Sequence, residues 1–183
     1  MNKQPNSRMC FVCGLQNPIG LKLAFYEDPE AGRVQAEFVV PDEYQGYPGV
    51  VHGGIVATIL DEVSGRAVMA DQNPYADQNP YADTRHSADA APSEWRRPAD
   101  GSDDILMATL RLTVRYRRPT PTETPLTAVG WVERMGGVGA RVAGEIHLPD
   151  GTVTAECESV LADVPEEFRA FWEPEKPYWK VYE

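Results

Sequence analysis

Two spacings of hydrophobic residues organise the chain. Over residues 53–70 they recur at helical spacing, and Ile55, Val56, Ile59, Val63 and Ala67 share one face at 3.6 residues per turn. Over residues 105–118 the pattern becomes an alternation: Leu110, Leu112, Val114 and Tyr116 are set against Arg111, Thr113, Arg115 and Arg117, which predicts a half-buried strand. Shorter stretches at 20–26, 32–40, 126–135, 140–148 and 152–164 also read as strands. Asp28-Pro-Glu-Ala-Gly32 turns between the first two, Gly136-Gly-Val-Gly139 and Pro149-Asp-Gly151 close later hairpins, and residues 41–51 form a loop. Strands, one helix, then consecutive antiparallel strands predict an α+β domain whose curved sheet wraps a single long helix.

The other side of that helix carries Asp61, in phase with Gly54, Ala57, Gly65 and Val68, which are mostly small. One face is therefore suited to a sheet, and the other leaves room for a partner helix or a ligand beside the carboxylate. Glu62 and Arg66, four apart, can pair on the flank. Gly53 and Gly54 place bare N–H groups at the helix start, where unpaired donors and the helix dipole hold developing negative charge. A carboxylate two turns on can activate water or attack directly. Together these are the minimal parts for splitting an acyl bond. The same residues also suit a plain buried helix, with Gly and Ala for close packing and Asp61 as a satisfied polar group.

Composition narrows the function classes. The length suits one domain, read as residues 1–164, with enough chain for a core. No apolar run is long enough to span a membrane, and the first residues lack the apolar stretch of a signal peptide. An odd count of three cysteines argues against a secreted disulfide framework, so a cytoplasmic setting is expected. The net charge of −11 argues against a nucleic-acid surface.

Three segments stand outside the pattern. Residues 71–104 begin with Ala-Asp-Gln-Asn-Pro-Tyr twice in tandem, at 70–75 and 76–81, and continue rich in Asp, Ala, Pro and Ser. That exceeds most loops of compact domains and reads as a solvated insertion. Because it starts where the helix ends, a lid that brings Trp95, Arg96 and Arg97 to a ligand is the alternative. Cys10-Phe-Val-Cys13 has the spacing of half a zinc knuckle, but a full site needs two more ligands. Neither Cys157 nor His147 offers a second pair and His86 lies in the insertion, so no metal is expected and the two cysteines read as structural thiols. The tail, residues 165–183, opens with a short helix after Pro165 and carries Phe168, Phe171, Trp172, Tyr178, Trp179 and Tyr182, expected to cover the sheet or a subunit joint.

His52-Gly-Gly-Ile-Val-Ala-Thr-Ile-Leu-Asp61-Glu62 resembles the signature of hotdog-fold acyl-CoA thioesterases of the phenylacetate-pathway (PaaI-like) type. Cys10-Phe-Val-Cys-Gly-Leu-Gln-Asn-Pro-Ile-Gly-Leu21, Tyr44-Gln-Gly-Tyr-Pro-Gly-Val-Val-His52 and Thr109-Leu-Arg-Leu-Thr-Val-Arg-Tyr-Arg-Arg-Pro119 resemble further parts of that family. The resemblance implies a hotdog fold, an acyl-CoA substrate of medium chain or aromatic type, no cofactor, and a homodimer or homotetramer with its site at the subunit joint. It also implies roles: Asp61 as general base or nucleophile, Gly53 as oxyanion donor, His52 holding the thioester carbonyl or orienting the loop, and Thr109 on the attacking water. The alternation sets Thr109 with Arg111 off the apolar face, so that role needs a bulge. Many members carry an Asn six residues before the His; this chain has Gly46 there, and the adjacent Gln45 can supply those hydrogen bonds. Gly54 and Gln45 are then substrate contacts. Coenzyme A phosphates need local positive charge, for which Arg115, Arg117, Arg118 and Arg141, with Arg134 beside them, are candidates. Two other readings stay open: a non-catalytic acyl-CoA binder, and a hydratase or dehydratase on the same fold.

Overall fold

The structure, a computed structural model, describes residues 1–70, 107–136 and 139–183. The strands are β1 (Asn2–Lys3), β2 (Tyr26–Asp28), β3 (Arg33–Val39), β4 (Gln45–Tyr47), β5 (Val50–Val51), β6 (Met107–Tyr116), β7 (Pro125–Gly136), β8 (Gly139–His147) and β9 (Val153–Asp163). The helices are α1 (Gly53–Met69) and α2 (Glu166–Trp172). Seven strands form one antiparallel sheet in the order β1-β2-β3-β7-β8-β9-β6, and β4 and β5 pair in a small hairpin just before α1. The sheet curves around α1, the hotdog arrangement.

The helix seats mainly on β7 and β8. Val56, Ile59, Val63 and Ala67 are buried as the periodicity predicts, while Ile55 is half-buried at the N-terminal end. The buried arc is wider than that stripe, because Leu60, Ser64 and Val68 are also enclosed. Val68, expected on the open side with Asp61, packs with Ala140, Val142 and Leu161, so the sheet encloses the C-terminal end of the helix more fully than its start. Close seating depends on Gly130 of β7, where a Cβ would lie 2.5 Å from the Val63 carbonyl oxygen.

Three expectations are corrected. Residues 20–25 are not a strand, and only Tyr26–Asp28 pairs with β3. Lys22 adopts φ 57°, the left-handed region, which a continuous strand cannot contain. Leu21 and Leu23 donate instead to the carbonyls of Phe11 and Val12, so Leu23 and Phe25 are buried against the N-terminal turn. The loop at 41–51 contains a 3-10 turn, Asp42–Tyr44, and the β4–β5 hairpin. The aromatic tail runs along the N-terminal segment rather than across the long strands, and Trp179 packs against the core. Asn6 and Lys180 exchange backbone hydrogen bonds, Arg8 pairs with Glu175 and lies 4.3 Å from the Tyr178 ring, and Trp172 meets Trp179 edge-on. Phe168 and Phe171 remain exposed.

The tandem repeat and the remainder of the insertion through residue 106 lie outside the described residues, as do residues 137 and 138 of the glycine-rich turn. Among the described residues no helix is long and apolar enough to cross a membrane.

Candidate active site

The first turn of α1 is built around one peptide unit. His52 is the N-cap, with extended backbone at φ −58° and ψ 133°. Its Nδ1 accepts from the Gly54 N–H at 3.0 Å, which makes the ring a side-chain cap. Tyr116 of β6 donates its hydroxyl to the Gly53 carbonyl at 2.8 Å. The Gly53 carbonyl and the Gly54 N–H belong to the same peptide, so it is pinned from both sides. The His52 carbonyl, on the preceding peptide, accepts from Ile55 N–H at 2.9 Å and Val56 N–H at 3.1 Å. What remains is the Gly53 N–H, held in direction by its neighbours and without a hydrogen-bond partner among the described residues. It is a preorganised donor at the positive end of a helix.

Loop geometry supports the cap. The His52 N–H donates to the Tyr44 carbonyl at 2.9 Å. A Cβ on Gly46 would lie 3.2 Å from His52 Cα, so a bare backbone lets the loop lie against the histidine. Gln45 uses Oε1 to accept from Gly49 N–H at 3.1 Å within its own hairpin. Gly54, expected to contact substrate, has its N–H taken by His52.

Asp61 lies half-buried on the open side of α1, and its Oδ1 accepts from the Thr109 hydroxyl at 2.8 Å. Thr109 reaches it because β6 contains a bulge. Thr109 pairs with Leu161 and Arg111 with Val160, which leaves Leu110 as the extra residue, 71% exposed. The bulge resets the alternation, so Thr109, Leu112, Val114 and Tyr116 all face the helix while Arg111, Thr113 and Arg115 face away. Burial raises the Asp61 pKa above its ordinary value; the Thr109 hydrogen bond pulls it down in part, and the adjacent Glu62 charge pushes it up. Oδ2 has no hydrogen-bond partner among the described residues. A carboxylate with one oxygen held, the other open and a raised pKa is poised to accept a proton from water.

Gly53 and Asp61 do not meet within one chain. Eight residues of helix separate them, about 12 Å along the axis at 1.5 Å per residue.

The arginines divide into two groups. Arg115 and Arg117 both pair with Glu156, at 3.4 Å and 2.5 Å. Arg141 of β8 stands directly across from Arg134 of β7, and Arg141 and Arg111 flank Val160 in the same row on the face away from the helix. Arg111, Arg134 and Arg141 have no ion pair among the described residues. Arg118 lies at the exposed end of the strand. Tyr116 is the site residue that sequence reasoning missed; its phase with Thr109 emerges only once the bulge is included.

A family model described as the thioesterase superfamily matches residues 48–155. The crystal structure of a thioesterase superfamily protein is similar at 26% identity and TM-score 0.62, over 85% of this chain and 63% of that one, so the chain spans less than two thirds of that relative. A phenylacetic acid degradation-related protein of Ralstonia eutropha JMP134 is similar at 23% identity and TM-score 0.55, covering 78% of this chain and 85% of that one. A hypothetical thioesterase of Streptococcus pneumoniae TIGR4, crystallised with coenzyme A, is similar at 17% identity and TM-score 0.52, covering 73% of this chain and 80% of that one. The last two likenesses are of fold. No curated protein matches the chain.

Proposed function

The chain belongs to the thioesterase superfamily, and from that premise we propose that it hydrolyses the thioester of a medium-chain or aromatic acyl-CoA to the free acid and CoA. The observation that carries this reading is the pairing of an open Gly53 N–H with an open, Thr109-held Asp61 carboxylate. Water attacks the thioester carbonyl carbon and gives its proton to Asp61 Oδ2. The carbonyl oxygen, now negative, is held by a Gly53 N–H. Collapse breaks the C–S bond, and the proton on Asp61 passes to the leaving sulfur, which restores the carboxylate. His52 and Tyr116 keep the donor aimed. The coenzyme A bound by the Streptococcus pneumoniae relative and the phenylacetic acid connection of the Ralstonia eutropha one support the substrate class. Arg134 and Arg141, with Arg111 in the same row, have no ion pair among the described residues and are our candidates for the CoA phosphates, whereas Arg115 and Arg117 are engaged by Glu156.

The gap of about 12 Å favours a site shared between two copies. An oxyanion donor and a base for one carbonyl must both lie within hydrogen-bond reach of the reacting atoms. Two copies with antiparallel α1 helices bring Asp61 of one to the partner subunit's Gly53. The small residues Gly54, Ala57 and Gly65 allow that approach. β6, a ten-residue edge strand with Leu110 exposed, offers the matching sheet edge.

The test uses two inactive variants. Asp61→Asn removes the base. Gly53→Pro removes the donor: proline is tolerated at the first helical position, His52 already has the extended backbone that precedes it, and the added Cβ would make ordinary contact with the Tyr116 hydroxyl at 3.4 Å. Dissociated and reassociated together, they form mixed dimers in which one of the two sites is intact. Hydrolysis of phenylacetyl- or octanoyl-CoA should then recover to about a quarter of wild type. No recovery despite mixed-dimer formation overturns the cross-subunit site. Full activity of both single variants overturns the roles of Asp61 and Gly53, and no hydrolysis of any acyl-CoA by the wild-type chain overturns the hydrolase and favours a binding protein.

A further inference from the structure

Cys10 and Cys13 take no part in the chemistry above, yet they are held with more care than two structural thiols need. Gly14 N–H closes a turn onto the Cys10 carbonyl at 2.9 Å, and Val12 N–H donates to Cys10 Sγ at 3.3 Å. A Cβ on Gly14 would lie 2.4 Å from the Cys10 carbonyl oxygen, so the residue after the second cysteine must be glycine for the turn to close. The turn faces α1 at Glu62. Cys10 Sγ is 3.6 Å from Glu62 Oε2, and both sulfurs and a Glu62 oxygen lie within 4.8 Å of one another.

Glu62 is fixed from behind. Its Oε1 accepts from Arg66 Nε at 2.9 Å. Arg66 is only 2% exposed, donates Nη1 to the Pro5 carbonyl at 2.6 Å, and lies between the rings of Phe25 and Trp179, at 4.9 Å and 4.7 Å. The other carboxylate oxygen is thereby aimed at the sulfurs. Around them, Ser7 Oγ accepts from Cys10 N–H at 3.0 Å and lies 3.5 Å from Cys13 Sγ.

The geometry points to a site for a thiophilic divalent cation of the zinc class, held by Cys10 Sγ, Cys13 Sγ and Glu62 Oε2, with water as the fourth ligand. Tetrahedral zinc, with bonds of about 2.3 Å to sulfur and about 2.0 Å to oxygen, sets sulfur–oxygen edges near 3.5 Å and sulfur–sulfur edges near 3.8 Å. The observed 3.6 Å fits the first. Two thiolates select zinc over magnesium or calcium. The charge closes: two thiolates and a carboxylate offset the divalent ion and the buried Arg66. Binding releases the thiol protons to solvent. The ion ties the N-terminal segment to α1 one residue beyond Asp61. The assignment stands whether or not the chain hydrolyses thioesters.

Full-length protein, reduced and stripped with chelator, is titrated with Co²⁺ and then Zn²⁺. The expected result is one ion per chain, a thiolate-to-cobalt charge-transfer band, and loss of that band as Zn²⁺ displaces cobalt. Cys13→Ser should lose the band. Glu62→Gln should bind at least roughly tenfold more weakly. Cys157→Ser, a buried thiol on β9, should behave as wild type. Less than about a tenth of an ion per wild-type chain, a band unchanged in Cys13→Ser, or wild-type affinity in Glu62→Gln each overturns the site. If Cys13→Ser does not fold, wild-type stoichiometry and Zn²⁺ protection of Cys10 from alkylation decide: full protection at one equivalent supports the site, and none refutes it.

Discussion

On one side of α1, Asp61 has a single polar partner among the described residues, the Thr109 hydroxyl, and the helix start, two turns away, keeps an N–H without an acceptor. On the neighbouring side, one residue along, Glu62 holds Arg66 at 2.9 Å, and both chain termini close over the pair through Pro5, Phe25 and Trp179. The two carboxylates are about 100° apart on the same helix. The Glu62 side ties its acid to a buried guanidinium and links both terminal segments to the core, although Arg66 Nη2 and Gln4 Oε1 keep no partner among the described residues. The Asp61 side leaves a half-buried acid and a donor incompletely satisfied, a cost that stability alone would not retain. Unsatisfied, fixed polar groups of opposite demand are what a polarised substrate can complete.

The sharpest way to break the comparison is to neutralise each acid in turn. Asp61→Asn should lower turnover by roughly 10² or more, with KM changed little. Its pKa is raised in the fold, so ionisation opposes folding: stability is lost as pH rises from the unfolded pKa through the folded one. At neutral pH the amide should therefore raise the melting temperature. Glu62→Gln should do the reverse, costing about 1–2 kcal/mol of stability by weakening the partner of a buried guanidinium while turnover stays near wild type. Calorimetry beside steady-state hydrolysis reads both. Loss of turnover in the Glu62 variant equal to that in the Asp61 variant would erase the distinction between the two sides.

Loss of the donor should match loss of the base, and loss of the donor's support should matter less. Gly53→Pro should cost roughly 10² to 10³ in kcat. His52→Ala and Tyr116→Phe, which each release one end of the Gly53–Gly54 peptide, should cost only about three- to tenfold. Because both act on one peptide, the double variant should cost less than the product of the two. A fully multiplicative result would mean that they act separately.

Thr109→Val should have the mildest effect on the plateau rate but move the pH profile. The hydroxyl favours the ionised Asp61, so its loss raises that pKa further and shifts the acid limb of kcat/KM to higher pH. An acid limb unmoved, or moved down, would remove Thr109 from the site.

Much of this was legible along the chain. The extent of α1 follows from its 3.6-residue period and its His-Gly-Gly start, and β6 to β9 follow from alternation between turn formers, because these signals depend on near neighbours only. Even the separation of Gly53 from Asp61, eight positions apart in one helix, is written in the sequence, since helical rise is invariant. Other features depend on partners distant in sequence. Residues 20–25 are apolar enough for a strand, but the chain turns at Lys22 to bury Leu23 and Phe25 against the N-terminal turn. Thr109 faces Asp61 only because pairing with β9 leaves Leu110 unmatched. Tyr116 on Gly53, and Glu62 beside Cys10, are contacts between elements far apart in the chain. Local periodicity states which face of each element is apolar; which faces meet, in what register, is decided when the whole sheet closes around the helix and trades one burial against another.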